Sequence, residues 1–134
     1  MVLIVLLVLA LFVLQTLLPA CFRYMGGPEG GRKLLLALGP RDNPPPQTTV
    51  GGRAERALGN LQEALPVFLT LALLDLIVGT AQAHLAITGA TVFLVARVLY
   101  VPAYLAGIAF IRTLIWAASV FGLALMLMPL LDKI

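Results

Sequence analysis

From Leu85 to Leu131 the chain is apolar almost throughout. As one helix this stretch would extend roughly 70 Å at ~1.5 Å per residue, more than twice the ~30 Å of a bilayer's hydrocarbon core. It must therefore turn back on itself. Gly107 is the breaker near its middle, so a tight turn is expected around residues 106–109. That gives one helix over about residues 84–105 and another over about 109–131. Pro102 lies near the end of the first, and Pro129 where the second finishes. Met1 to Cys21 is another run of mostly Val, Leu and Ile, interrupted by Gln15, Thr16 and Pro19. It predicts a span over about residues 1–22. No Lys or Arg precedes it, so it reads as a retained helix rather than a cleaved signal. A remaining span over about residues 53–79 carries Pro66, which is expected to bend its axis.

The charge count agrees with this pattern. Charged residues make up 11% of the chain and hydrophobic residues 61%, where a soluble domain carries about 25% charge. The expected fold is an all-α integral membrane protein, a single four-transmembrane-helix bundle covering residues 1–134. Cys21 is the one cysteine and His84 the one histidine, which excludes an internal disulfide and an all-protein zinc site. No metal and no nucleic-acid partner are expected.

Residues 23–52 form the long connection. Gly26-Gly27-Pro28, Gly30-Gly31, Pro44-Pro45-Pro46 and Gly51-Gly52 leave no room for a long regular element. Leu34 to Leu38 is a short apolar run that reads either as a turn or two of surface helix or as loop folded over the helix ends. Arg23, Arg32, Lys33, Arg41, Arg53 and Arg56 all fall here or just after, whereas Gly79 to His84 has no Lys or Arg. The positive-inside rule puts the long loop in the cytoplasm and both termini on the far side. In a bacterial inner membrane, the expected location, that side is the periplasm.

Inside the spans the polar residues fall into stripes. Arg53, Arg56, Asn60 and Glu63 are spaced so as to share one helix face, as are Arg97, Tyr100 and Tyr104, and Arg112, Trp116 and Ser119. Counted from the cytoplasmic helix ends at the helical rise, Arg56 lies roughly 5 Å in, Asn60 10 Å, Glu63 15 Å, Arg97 12 Å and Tyr100 8 Å. Arg112 begins its own helix at the same surface. Three helices thus bring polar faces to one half of the membrane, and an unpaired ion at that depth is costly. Glu63 and Arg97 differ in depth by only about 3 Å, so they are expected to pair. An internal salt-bridge cluster holding the bundle together would explain the stripes, and so would a polar ligand. Asp75, near the opposite interface, reads as a solvated helix-end carboxylate, and Trp116 as a packing or interfacial residue.

The pattern Arg56-x-x-x-Asn60-x-x-Glu63-x-x-Pro66-x-Phe68-Leu69, then Ala96-Arg97-x-x-Tyr100-x-x-Ala103-Tyr104-Leu105 and Arg112, resembles the MAPEG family. These are membrane-associated proteins of eicosanoid and glutathione metabolism. The resemblance covers roughly residues 50–120 and is to a bacterial member. It implies a homotrimer of four-helix subunits with glutathione held between neighbouring subunits near the cytoplasmic face. By position it implies Arg56, Asn60, Glu63, Arg97, Tyr100 and Tyr104 as glutathione-binding residues and Arg112 as the catalytic arginine that activates the thiol. Arg53, at the head of the same stripe, joins the binding set on spacing alone.

The residue types suit that ligand. Glutathione carries two carboxylates, an ammonium and a thiol; guanidinium, phenol and amide donors hold carboxylates, and a carboxylate holds an ammonium. A guanidinium beside a helix N-terminus stabilises a thiolate, whose free thiol has a pKa near ~8.5. The expected activity is a glutathione-dependent transferase or peroxidase acting on lipophilic electrophiles or hydroperoxides drawn from the membrane lipid. The family also includes a non-catalytic member, so a scaffold that binds a lipid or a partner protein is the alternative. A small transporter using the intramembrane charges as a relay is a third.

Overall fold

A computed structural model describes residues 1–25, 38–39, 42, 44–79 and 82–132. Among them the chain forms four long helices: α1 (Val2–Tyr24), α2 (Thr49–Val78), α3 (Ala83–Ala106) and α4 (Ala109–Leu131). Each is long and apolar enough to cross a membrane. Their outward faces carry large apolar side chains such as Leu3, Leu14, Ile77, Phe110 and Phe121, all exposed. In water such a surface would drive aggregation; in a bilayer it is the solvated surface. This is an integral membrane protein. The Leu34–Leu38 run falls, but for Leu38, outside the described residues.

The turn expected near Gly107 lies between Ala106 and Ala109, and Gly107 takes a left-handed conformation at φ 80°, which glycine adopts without steric cost. The start of α2 differs from expectation. The glycines predict that residues 50–52 belong to the loop, yet the helix begins at Thr49. The reason is a cap: the Thr48 hydroxyl accepts from the Gly51 N–H at 3.0 Å, satisfying one of the free donors of the first turn. At 30 residues, α2 extends roughly 45 Å. It outreaches the hydrocarbon core, and its surplus projects at the end that carries the α1–α2 connection, the loop end.

The buried core draws on all four helices. Val8 of α1, Leu61, Phe68, Leu71 and Ala72 of α2, Ala90 and Phe93 of α3 and Met126 of α4 form one cluster. Phe68 and Phe93 stack at 4.6 Å between ring centroids and tie α2 to α3. Toward the far end, α3 and α4 cross at Gly89 and Gly122. A Cβ on Gly89 would lie 2.5 Å from the Gly122 carbonyl oxygen, and one on Gly122 would lie 2.7 Å from that of Gly89. Without lipid-excluding hydrophobic drive, close backbone approach is what holds membrane helices together.

Two sequence expectations fail at this level. Asp75 is not solvated: it is 9% exposed, and neither carboxylate oxygen has a hydrogen-bond partner among the described residues. Counting residues placed it near the interface but could not show that it faces inward. Nor does Arg97 pair with Glu63. Among the described residues the ion pair formed is Arg23 to Glu55, at 3.0 Å.

Candidate functional site

Two cavities open side by side at the loop end, between α2, α3 and α4. One, of about 310 Å³, is lined by Arg56, Gly59, Asn60 and Glu63 of α2 with Tyr100 and Tyr104 of α3. The other, of about 220 Å³, is lined by Asn60, Tyr100, Arg112, Thr113 and Trp116. Asn60 and Tyr100 stand between the two and belong to both walls. Six of the eight residues expected to bind or catalyse thus meet at one place: Arg56, Asn60, Glu63, Tyr100, Tyr104 and Arg112. The reason is helix geometry, since residues three and four apart return to the same face on each of three packed helices.

Arg97 stands behind this wall rather than in it. It is 2% exposed, with its guanidinium carbon 5.2 Å from the Phe93 ring centroid and 5.6 Å from that of Tyr100. Its Nη1 donates to Asn60 Oδ1 at 2.6 Å. That partner explains why Glu63 is left aside: Asn60 lies one turn nearer the loop end and points inward, whereas Glu63 is exposed on the open side of the subunit. Arg97 retains its Nε without a partner among the described residues; the flanking ring faces supply cation–π attraction instead.

The Arg97 contact also fixes what Asn60 offers. A guanidinium only donates, so the amide oxygen must face Arg97 and the amide NH₂ must face elsewhere. Asn60 therefore presents hydrogen-bond donors to the two cavities it lines. On the other side of Tyr100, the aromatic series continues: Tyr100 and Tyr104 lie 5.4 Å apart, and the Arg112 guanidinium sits over the Tyr104 ring at 4.6 Å. Cation–π contact restrains a guanidinium while leaving its N–H edge free to donate.

The electrostatics are lopsided. Arg56 and Arg112 line the cavities with the Arg97 guanidinium buried behind them, and Glu63 is the sole carboxylate among the described lining residues. Glu63 makes no ion pair within the described residues. Donors outnumber acceptors, and the site suits a ligand with more than one anionic group and one cationic group.

Arg53 does not line either cavity. Its Nη1 donates to the Leu105 carbonyl at 2.8 Å, at the end of α3. Helical spacing gave its direction around α2 correctly, but the stripe's first turn lies beyond the cavities. Thr113 and Gly59 line the site and were missed; both adjoin expected residues, and neither carries a signal of its own. Trp116, expected to pack or anchor at an interface, lines the Arg112 cavity and is 43% exposed.

A further cavity of about 440 Å³ lies on the opposite side of α2, lined by residues of α1, α2 and the connection between them, including Arg23, Gln47, Glu55 and Leu58. Sequence reading did not find it. Here Glu55 accepts from Arg23 at 3.0 Å and from Gln47 at 2.7 Å, so its charge is met within the chain.

The family model described as the MAPEG family matches residues 1–131. No curated protein matches the chain.

Proposed function

The chain belongs to the MAPEG family, and from that premise we propose that it is a glutathione-dependent membrane transferase or peroxidase acting on lipophilic electrophiles or hydroperoxides. Membership supports a role at a membrane in glutathione or eicosanoid metabolism. The observation that carries the finer reading is the excess of guanidinium groups at the paired cavities, with Glu63 left without an ion-pair partner among the described residues. Glutathione, with two carboxylates, one ammonium and one thiol, complements that set. Arg56, the two tyrosines and the Asn60 amide supply donors for carboxylates, and Glu63 an acceptor for the ammonium.

Arg112 is the catalytic residue in this reading. It lies in the first turn of α4, where the free N–H groups and the guanidinium both favour an anion. A thiol held there ionises more readily, and the bound group then supplies a thiolate nucleophile or reductant. Trp116, on the same wall and open to the surroundings, would receive the lipophilic partner.

The proposed assembly is a homotrimer. Glu63 and Arg56 are exposed on a surface of the single chain that lies at membrane level, and leaving them against lipid is costly. A neighbouring copy would cover them and complete the site. The loop end is proposed to face the cytoplasm, on the charge asymmetry of the connections.

Turnover is the test. Purified protein in mild detergent, mixed with glutathione at neutral pH, should show thiolate absorbance in the ultraviolet difference spectrum and should conjugate a chloronitrobenzene electrophile or reduce an organic hydroperoxide. Its mass should be about three times that of the monomer. Glutathione binding with neither thiolate nor turnover would transfer the assignment to a non-catalytic scaffold.

A further inference from the structure

The turn between α3 and α4 is held from outside the hairpin. α3 ends in a Schellman arrangement: the Ile108 N–H donates to the Ala103 carbonyl at 3.3 Å and the Gly107 N–H to the Tyr104 carbonyl at 3.1 Å. That pattern satisfies the two carbonyls before Leu105 and leaves Leu105's own carbonyl without a backbone donor among the described residues. Arg53 fills the gap, its Nη1 donating at 2.8 Å. The guanidinium lies directly against Gly107. A Cβ at that position would come within 2.8 Å of Arg53 Cζ and Nη2.

Electrostatics favour the same arrangement. A cation near the start of its own helix opposes that helix's dipole, whereas one at the C-terminal end of another helix is stabilised. Arg53 occupies the fifth position of α2 (Thr49–Val78) and reaches the end of α3, where the partial charge is negative. The extra length of α2 at the loop end brings it there.

What hangs from this turn is the catalytic arginine's support. The Arg112 N–H donates to the Ile108 carbonyl at 3.1 Å, which starts α4. Tyr104, whose carbonyl accepts from Gly107, carries the Arg112 guanidinium over its ring at 4.6 Å. Both members of that stack are thus anchored within one turn of the segment that Arg53 grips.

We propose that Arg53 is a positioning residue that clamps the α3–α4 turn and so fixes Arg112 over Tyr104 at the cavity. Its kinetic readout rests on the glutathione chemistry proposed above; its structural readout does not. Trp116, the one tryptophan of the chain, lies one helical turn beyond Arg112 and reports the placement of α4 with or without activity.

The test compares Arg53→Gln, Arg53→Lys and Gly107→Ala in the full-length protein. Misplacing a catalytic group by about 1 Å can cost up to ~100-fold, so Arg53→Gln should lower kcat by about tenfold. The KM for glutathione should change less than about twofold, since Arg53 leaves the binding walls intact. Acrylamide quenching of Trp116 should rise in the same variant. Arg53→Lys keeps the charge and one donor but loses the flat contact with Gly107, and should recover at least half of the lost rate. It also decides the matter if Arg53→Gln does not assemble. Combining Arg53→Gln with Gly107→Ala should add little to the larger single loss. A raised KM at unchanged kcat would make Arg53 a ligand contact and overturn the clamp. Parent-like kcat and parent-like Trp116 quenching in Arg53→Gln would overturn it too. If the parent itself shows no turnover, the glutathione reading fails alone, and Trp116 quenching still decides the clamp.

Discussion

On one side of α2, Glu55 accepts from Arg23 and Gln47 at once; on the other, the Arg56 and Arg112 guanidinium groups line cavities with Arg97 buried behind them and Glu63 as the sole carboxylate among the described lining residues. The two sides lie at the same end of the same helix and both border open space. The first has closed its electrostatics within the subunit. The second has not, and its charged groups are held by contacts that leave them uncompensated: Arg97 by an amide and two rings, Arg112 by a ring. Rings and amides orient a cation without neutralising it. A chain that wanted only a stable bundle would place a carboxylate against each arginine. Polar residues positioned yet unneutralised are what a binding site requires, because the missing charge must come from the ligand.

The largest effect that would sharpen this contrast comes from Arg112. Arg112→Leu should lower kcat by at least about 100-fold, the cost of losing one electrostatic donor to a developing anion. It should also abolish the thiolate absorbance while leaving glutathione affinity within about threefold, because other residues hold the carboxylates. Turnover as fast as the parent's would move thiol activation to Tyr100 or Tyr104 as hydrogen-bond donors. Arg56→Leu should behave in the opposite sense. Loss of one charge-assisted contact costs about 1.5–3 kcal/mol, so affinity should fall at least about tenfold, with the thiolate signal of the bound fraction retained. Titration calorimetry and difference spectroscopy on the same samples read both.

The next effect concerns Arg97 and Asn60. Because their contact is buried and charge-assisted, a double-mutant cycle with Arg97→Met and Asn60→Ala should show a coupling of about 1–3 kcal/mol in unfolding free energy. Additive losses would mean that the two side chains do not depend on each other. Asn60→Asp is a sharper probe of the same contact. It keeps the acceptor toward Arg97 but removes the NH₂ from the cavities, so it should retain the fold and weaken glutathione binding.

Much of this arrangement was legible in the sequence, for particular reasons. The long apolar stretch has to fold back, and Gly107 is where it does. The helical spacing of Arg56, Asn60 and Glu63, of Tyr100 and Tyr104, and the start of a new helix at Arg112 put six side chains around one space. Periodicity reports direction around a helix, and the family match over residues 1–131 agrees with the resemblance carried by those motifs. What spacing does not report is the partner. Depth made Glu63 and Arg97 look like a pair, but a helix face spans a wide arc, and Arg97 turned to Asn60. Arg53 lay on the right face and beyond the right depth. Gly51 and Gly52 read as loop on composition, but a cap at Thr48, set by one hydroxyl, outweighs that signal and starts the helix before them. The crossing at Gly89 and Gly122 involves no polar signal at all; two glycines on separate helices announce themselves only when the backbones meet.

The smallest effect belongs to the closed side of α2. The Arg23 and Glu55 side chains are 27% and 47% exposed, so water and interfacial ions screen their attraction, and pairs of this kind contribute about 0.2–1 kcal/mol. A cycle with Arg23→Gln and Glu55→Gln should therefore give a coupling inside that range. The Gln47 contact argues for the upper part: once Arg23 is gone, Glu55 still has an amide donor at 2.7 Å, and once Glu55 is gone, Arg23 has lost its only charged partner among the described residues. Arg23→Gln alone should accordingly cost less than Glu55→Gln alone. The order of the two single losses is the discriminating measurement. If Arg23→Gln were the more damaging, Arg23 would be serving something other than Glu55. The closed face would then be as open as its counterpart, and the contrast between the two sides of α2 would fail.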